Sequence, residues 1–146
     1  MLALLARWLR AAGYDTALAR PGTADASILA QCIDEDRVLI SRDRSLVGTS
    51  RKRIAAVLLA SDRLEGHARE LTRTIGIDWT FAPFTRCMAD NCLLRAATTE
   101  ELANVPEFFR ESPIDVRACP ECRRIYWPGG HVRRMRAQLE LWRTKP

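Results

Sequence analysis

The sequence predicts an α/β fold, a parallel sheet flanked by helices over residues 1–79, followed by a cysteine-bearing segment and a terminal helix over residues 80–146. Three observations carry this reading. Two short apolar runs, residues 38–40 and 54–60, are each bounded by charges, as strands buried on both faces are. Helical patterns precede, separate and follow them. Four of the five cysteines, Cys87, Cys92, Cys119 and Cys122, fall together in the second half. With 47% hydrophobic and 28% charged residues among 146, the chain is globular in composition and has the apolar content for a buried core.

The elements follow in order. In "MLALLARWLRAAGYDT", Leu2, Leu5, Ala6, Leu9 and Ala12 recur at helical spacing and Gly13 supplies a stop. "DTALA" is expected to be a short extended stretch, and "RPGT" breaks the chain before a second helix, "ADASILAQCIDED". Ile28, Leu29, Cys32 and Ile33 share one face of that helix, where Cys32 reads as a small buried apolar residue. "RVLISRDR" and "RIAAVLLAS" supply the two buried strands, separated by a short helical pattern over residues 43–49. A longer helix over residues 64–75 ends at Gly76, a plausible left-handed cap. The first 79 residues thus read helix, strand, helix, strand, helix, strand, helix. In parallel sheets of this kind ligands bind outside the carboxyl ends of the strands.

Around "DWTFAPFT" the pattern turns irregular and aromatic, which places a boundary near residue 80. "TTEEL" has the form of a capping box between Thr98 and Glu101. "RRIYWPGGHVRRMRAQLELW" reads as a strand, a Pro-Gly-Gly turn and an amphipathic helix with Val132, Met135, Leu139 and Trp142 as its apolar stripe. There is no internal repeat and no low-complexity segment.

The net charge of +5 is unevenly spread: +2 over residues 1–79, −3 over 80–116 and +6 over 117–146. A basic C-terminal end suits phosphate neutralisation, and it equally suits an ordinary solvated face. No apolar run approaches the roughly 18 residues of a spanning helix, and the first helix is too short and too interrupted by arginine for a signal peptide. No membrane partner is expected, and the cytoplasm is the expected address.

The strand-end rule points to carboxylates. Asp43 follows the first apolar run and Asp62 the second, so both should stand near one edge of the sheet, with Asp25 at the start of the second helix as a third. Clustered carboxylates repel unless a cation lies between them, and Mg²⁺ or Mn²⁺ prefers oxygen ligands; such an ion activates water for phosphodiester hydrolysis. The same residues also suit helix starts, where Asp25, Asp43 and Asp62 would be caps or first-turn acids. Arg42 and Arg44 flank Asp43 and would meet phosphate or pair with the acid.

"CPEC" at residues 119–122 has the form of a zinc knuckle. The other half, "RCMADNC", separates Cys87 from Cys92 by four residues, within the range of zinc sites, and places Asp90 where the second cysteine of a C-x-x-C would fall. The fourth ligand is therefore Cys92 or Asp90, with His131 a further candidate. Four protein ligands leave no open position for water, so this zinc would be structural. Free buried thiols are the alternative.

Taken together, "MLALLARWLRAAGYDT", "ADASILAQ", "RVLISRDRSL", "FTRC…N", "CPECRRIYWPGGH" and the following "RM" resemble, in order and spacing, the mut-seven C-terminal RNase-domain family. The resemblance implies a PIN-like fold with a zinc ribbon, and cleavage of RNA with a divalent metal held by Asp25, Asp43 and, less directly matched, Asp62. It also implies a ribbon that helps hold substrate. On the residues themselves, Arg42, Arg44, His131, Arg133, Arg134 and Arg136 are the candidate RNA contacts.

This sequence departs from the family pattern where members usually carry a strand ending in aspartate ahead of the position of Met1, and where many carry C-x-x-C in place of Cys87 with Asp90 and Cys92. The first departure leaves two expectations open: a natural chain that begins upstream of Met1, or a descendant that binds RNA with little catalysis. The functional readings are a metal-dependent ribonuclease, a non-catalytic RNA-binding ribbon, and a toxin-like protein regulated by a partner that no residue names.

Overall fold

The computed structural model describes residues 2–111 and 115–144. They divide into two compact units. One takes Leu18–Ile77 with the first residues of helix α1 (Leu2–Ala11) through Leu5; the other takes Ala6–Ala17 and the described residues from Asp78 to Thr144.

In the first unit, helix α2 (Asp25–Asp34) is followed by strand β1 (Leu39–Ser41), helix α3 (Arg44–Ser50), strand β2 (Ala56–Leu58) and helix α4 (Leu64–Ile75). β1 and β2 pair in parallel, Leu39 with Ala56, Ile40 with Val57 and Ser41 with Leu58. The ladder continues on both sides, Leu39 N–H donating to Ala55 O and Leu59 N–H to Ser41 O, both at 2.9 Å. Cys32 is buried as expected, in a cluster with Leu39 and Leu46 against which Ile28, Ile54 and Ala56 pack. The apolar runs thus become strands because one connecting helix and the helix before them cover their side chains.

Local chemistry fixes the ends of these helices. Asp43 is the N-cap of α3: its Oδ1 accepts from the N–H groups of Ser45 at 2.8 Å and Leu46 at 3.0 Å. Gly76 closes α4 in the left-handed conformation (φ 67°) and donates to Thr72 O. At the other end of α4, Gly66 meets the turn after β2, where a Cβ would stand 1.9 Å from Ser61 Oγ. Beside it, His67 Nε2 lies 2.8 Å from Ser61 O, and Glu70 accepts from the N–H groups of Ala60 and Ser61. The loop carrying Asp62 is thereby pinned to α4.

The expected extended stretch "DTALA" is not a strand, so the parallel sheet has two strands among the described residues. At Thr16 the backbone finds side chains in place of a neighbouring strand. Thr16 N–H donates to Asn91 Oδ1, and Thr16 O accepts from Arg10 Nε, both at 2.9 Å.

The second unit holds an antiparallel sheet of strands β3 (Arg95–Ala96), β4 (Arg117–Ala118) and β5 (Ile125–Tyr126), with β4 in the middle. Short helices α5 (Thr99–Leu102) and α6 (Glu107–Arg110) lie between β3 and β4 in sequence, and helix α7 (Gly130–Thr144) follows β5. The capping box forms as its sequence predicts, with Thr98 and Glu101 each accepting from the other's backbone N–H. Arg95, and then the Thr98 N–H, hold the Glu101 carboxyl down to about 2. It therefore stays ionised until pH falls well below the usual carboxylate range.

Buried Met135, Leu139 and Trp142 give α7 its inner face. The Trp142 ring lies edge-on to Trp79 at 4.8 Å and to Trp8 at 4.9 Å. The carbonyls ending α1 are capped by this unit: Ala82 N–H donates to Ala12 O and Phe84 N–H to Ala11 O. Gly13 is required there, with φ 102° and the Ala82 carbonyl 2.4 Å from where a Cβ would stand.

The two roles of Asp43 separate by substitution. Asp43→Ala should lower unfolding free energy by about 1 kcal/mol through loss of the cap, whereas Asp43→Asn, itself a good cap, should cost a few tenths, roughly. Urea unfolding of the three proteins measures both; equal losses for the two variants would refute the capping role.

Candidate functional site

Two turns in the second unit have the same backbone plan. Asp90 N–H points to Cys87 Sγ at 3.4 Å and Asn91 N–H donates to Cys87 O at 2.9 Å. Likewise Cys122 N–H points to Cys119 Sγ at 3.3 Å and Arg123 N–H donates to Cys119 O at 3.1 Å. Asn91 (φ 69°) and Arg123 (φ 59°) both take the left-handed conformation. The strands then close in register, Cys87 N–H on Cys92 O and Cys119 N–H on Arg124 O. By this repeat Cys87 matches Cys119, Asp90 matches Cys122, and Cys92 matches Arg124.

The turns bring Cys87, Asp90, Cys119 and Cys122 together, with one ligand atom from each lying within 4.8 Å of all the others. A tetrahedral zinc with S at about 2.3 Å and O at about 2.0 Å spaces two sulfurs about 3.8 Å apart and sulfur from oxygen about 3.5 Å. Cys87 Sγ and Cys122 Sγ are 3.7 Å apart, and Asp90 Oδ2 is 3.5 Å from both Cys87 Sγ and Cys119 Sγ. These four residues could hold a metal such as zinc. Cys92 Sγ is 3.1 Å from Cys119 Sγ, closer than two ligands of one ion would sit and far longer than the about 2 Å of a disulfide. The Asp90 carboxyl is held below its ordinary range, first by the Cys122 thiol and then by Cys119 and Cys87, which keeps an anionic oxygen aimed into the cluster.

Two residues that support the cluster escape a reading by motif. Arg10, 9% exposed, donates through Nη1 to Ala89 O at 2.5 Å and Met88 O at 3.3 Å, and through Nε to Thr16 O. Its guanidinium thus threads the first turn, and the charges of Cys87, Asp90 and Asp15 oppose the burial that lowers its pKa. Tyr126 brings its hydroxyl to 3.2 Å from Cys87 Sγ and accepts from Met88 N–H at 3.2 Å. A helix arginine and a strand tyrosine carry no local signal of such roles. Asn91 did carry one, because asparagine tolerates positive φ.

Elsewhere the candidate residues are placed as follows. β1 and β2 end at one edge, and there Arg42 bonds Asp62, beside Asp43 on its cap. Asp25 is an exposed first-turn residue of α2. Among the described residues, Asp25, Asp43 and Asp62 do not form a group able to hold one ion between them. Arg44, Arg133 and Arg134 are exposed; the Arg136 guanidinium stands 5.1 Å from the Phe84 ring centre; His131 Nε2 accepts from Arg7 Nη2 at 3.2 Å. No helix among the described residues is long and apolar enough to cross a membrane.

Arg10→Leu removes the donor for three carbonyl groups and should destabilise the protein by about 2 kcal/mol. Urea unfolding reads this directly, and a variant as stable as the parent would show that the first turn stands without the guanidinium.

No curated protein and no solved structure matches the chain. The model of one family, the Mut7-C RNAse domain, matches residues 1–139, and the chain belongs to that family.

Proposed function

We propose that the chain is an RNA-hydrolysing domain of PIN-like type whose zinc ribbon grips the substrate. The supporting observation is the family match over residues 1–139, taken together with Asp43 and Asp62 at one carboxyl edge of the parallel strands. In this reading the strand edge is where Mg²⁺ or Mn²⁺ would be recruited, and a divalent ion there supplies an activated water and a charge partner for the leaving oxygen. Arg42 and Arg44 would meet the phosphates flanking the scissile bond. Cys87, Asp90, Cys119 and Cys122 would hold the zinc, with no open position for chemistry. Arg133, Arg134 and Arg136, on the basic terminal helix, would follow the RNA backbone.

A second reading, RNA binding without cleavage, is favoured by one observation. Asp43 Oδ1 is engaged in the helix cap and Asp62 is paired with Arg42, so each carboxylate already has a partner at this edge.

A labelled single-stranded RNA incubated with the protein and Mn²⁺ separates the two. The first reading expects cleavage that Asp43→Asn abolishes while leaving the fold and RNA affinity intact, because asparagine keeps the cap. Salt-sensitive binding with no cleavage in the parent protein would overturn it in favour of the second.

A further inference from the structure

Beside the turn between β5 and α7 lies a groove of about 520 Å³, within the size range of small-molecule sites. Tyr126 and Trp127 supply aromatic walls and Met88 and Val132 apolar ones, while Arg7, Arg124 and His131 supply the polar lining. No carboxylate lines it.

The Tyr126 ring is held in place before any ligand arrives. The Tyr126 hydroxyl is tied to Cys87 Sγ and Met88 N–H. The Trp127 indole lies over Gly129, where a Cβ would stand 2.7 Å from Nε1, and Gly129 N–H donates back to Trp127 O at 2.7 Å. Only glycine at 129 lets the indole take this position.

The same glycine shapes the polar end. Gly129 O accepts from Arg133 N–H, so Gly129 occupies the capping position of α7 with no side chain to engage the first-turn N–H groups. These donors and the Arg7 guanidinium, which bonds His131 Nε2 at 3.2 Å, would suit an anionic group in the groove.

We propose that this groove binds one unpaired nucleotide of an RNA strand, its base against Tyr126 and Trp127 and its phosphate toward Arg7, Arg124 and the start of α7. Planar walls select a base, the positive lining selects a phosphate, and the volume admits both. Stacking on an aromatic platform inside a basic groove is sequence-tolerant, so the site takes any base. The proposal rests on the RNA reading above and adds where a single nucleotide is seated.

Calorimetric titration of the zinc-loaded protein with 5′-AMP, adenosine and inorganic phosphate tests it, alongside anisotropy with an eight-nucleotide single-stranded RNA. AMP should bind at least about tenfold tighter than either fragment, and Trp127→Ala should weaken AMP by about tenfold while Trp127→Phe retains it. Arg7→Gln, at an exposed position, should weaken AMP and leave adenosine unchanged. AMP binding no tighter than phosphate, or indifferent to both Trp127→Ala and Arg7→Gln, would overturn the groove. If the RNA binds and these variants bind it equally well, the groove falls while the RNA reading stands. If AMP binding is sensitive to the variants but no RNA binds, a nucleotide site remains and its assignment to an RNA strand falls.

Discussion

Strands of two residues cannot hold a sheet together by their own ladders, and β3, β4 and β5 are each two residues long. What joins them is the pair of matched turns, which bring Cys87 and Asp90 from one hairpin against Cys119 and Cys122 from another. A shared ion would convert four ligands far apart in sequence into one cross-link, and its binding energy becomes folding energy. The positive-φ residues, the N–H groups aimed at sulfur and the buried Arg10 all serve to present those four side chains.

The same constraint reaches the nucleotide groove. Tyr126 forms one wall and spends its hydroxyl on Cys87, while Met88, one residue beyond Cys87, lines the same groove. Partners that orient metal ligands are fixed in turn by them, so the wall is as rigid as the cluster behind it. In the first unit the chemistry is less committed. One carboxylate starts a helix and another faces an arginine, both at the sheet edge where ligands of parallel folds bind.

Features with a local cause were legible in the sequence. The capping box at Thr98 and Glu101, the left-handed Gly76, buried Cys32 and the stripe of Val132, Met135, Leu139 and Trp142, of which Val132 is half-buried and the others buried, each follow from spacing and residue type. "DTALA" was misread because extended chain was expected to find a strand, whereas its partners are the side chains of Arg10 and distant Asn91. Spacing could not choose between Asp90 and Cys92, since both fall within the range of zinc ligands. In the structure the backbone repeat matches Asp90 to Cys122 and Cys92 to Arg124, and Asp90 joins the cluster with Cys87, Cys119 and Cys122. By spacing Asp43 suits both a cap and a metal ligand, and the geometry makes it the cap of α3.

Zinc-edge X-ray absorption on the purified, metal-loaded protein reads the ligand set of this cross-link. Three sulfur ligands at about 2.3 Å and one lighter ligand at about 2.0 Å are expected, in one zinc per chain. A four-sulfur shell would put Cys92 in the site in place of Asp90, and a chain that takes up no zinc would contradict a metal cross-link between the two turns.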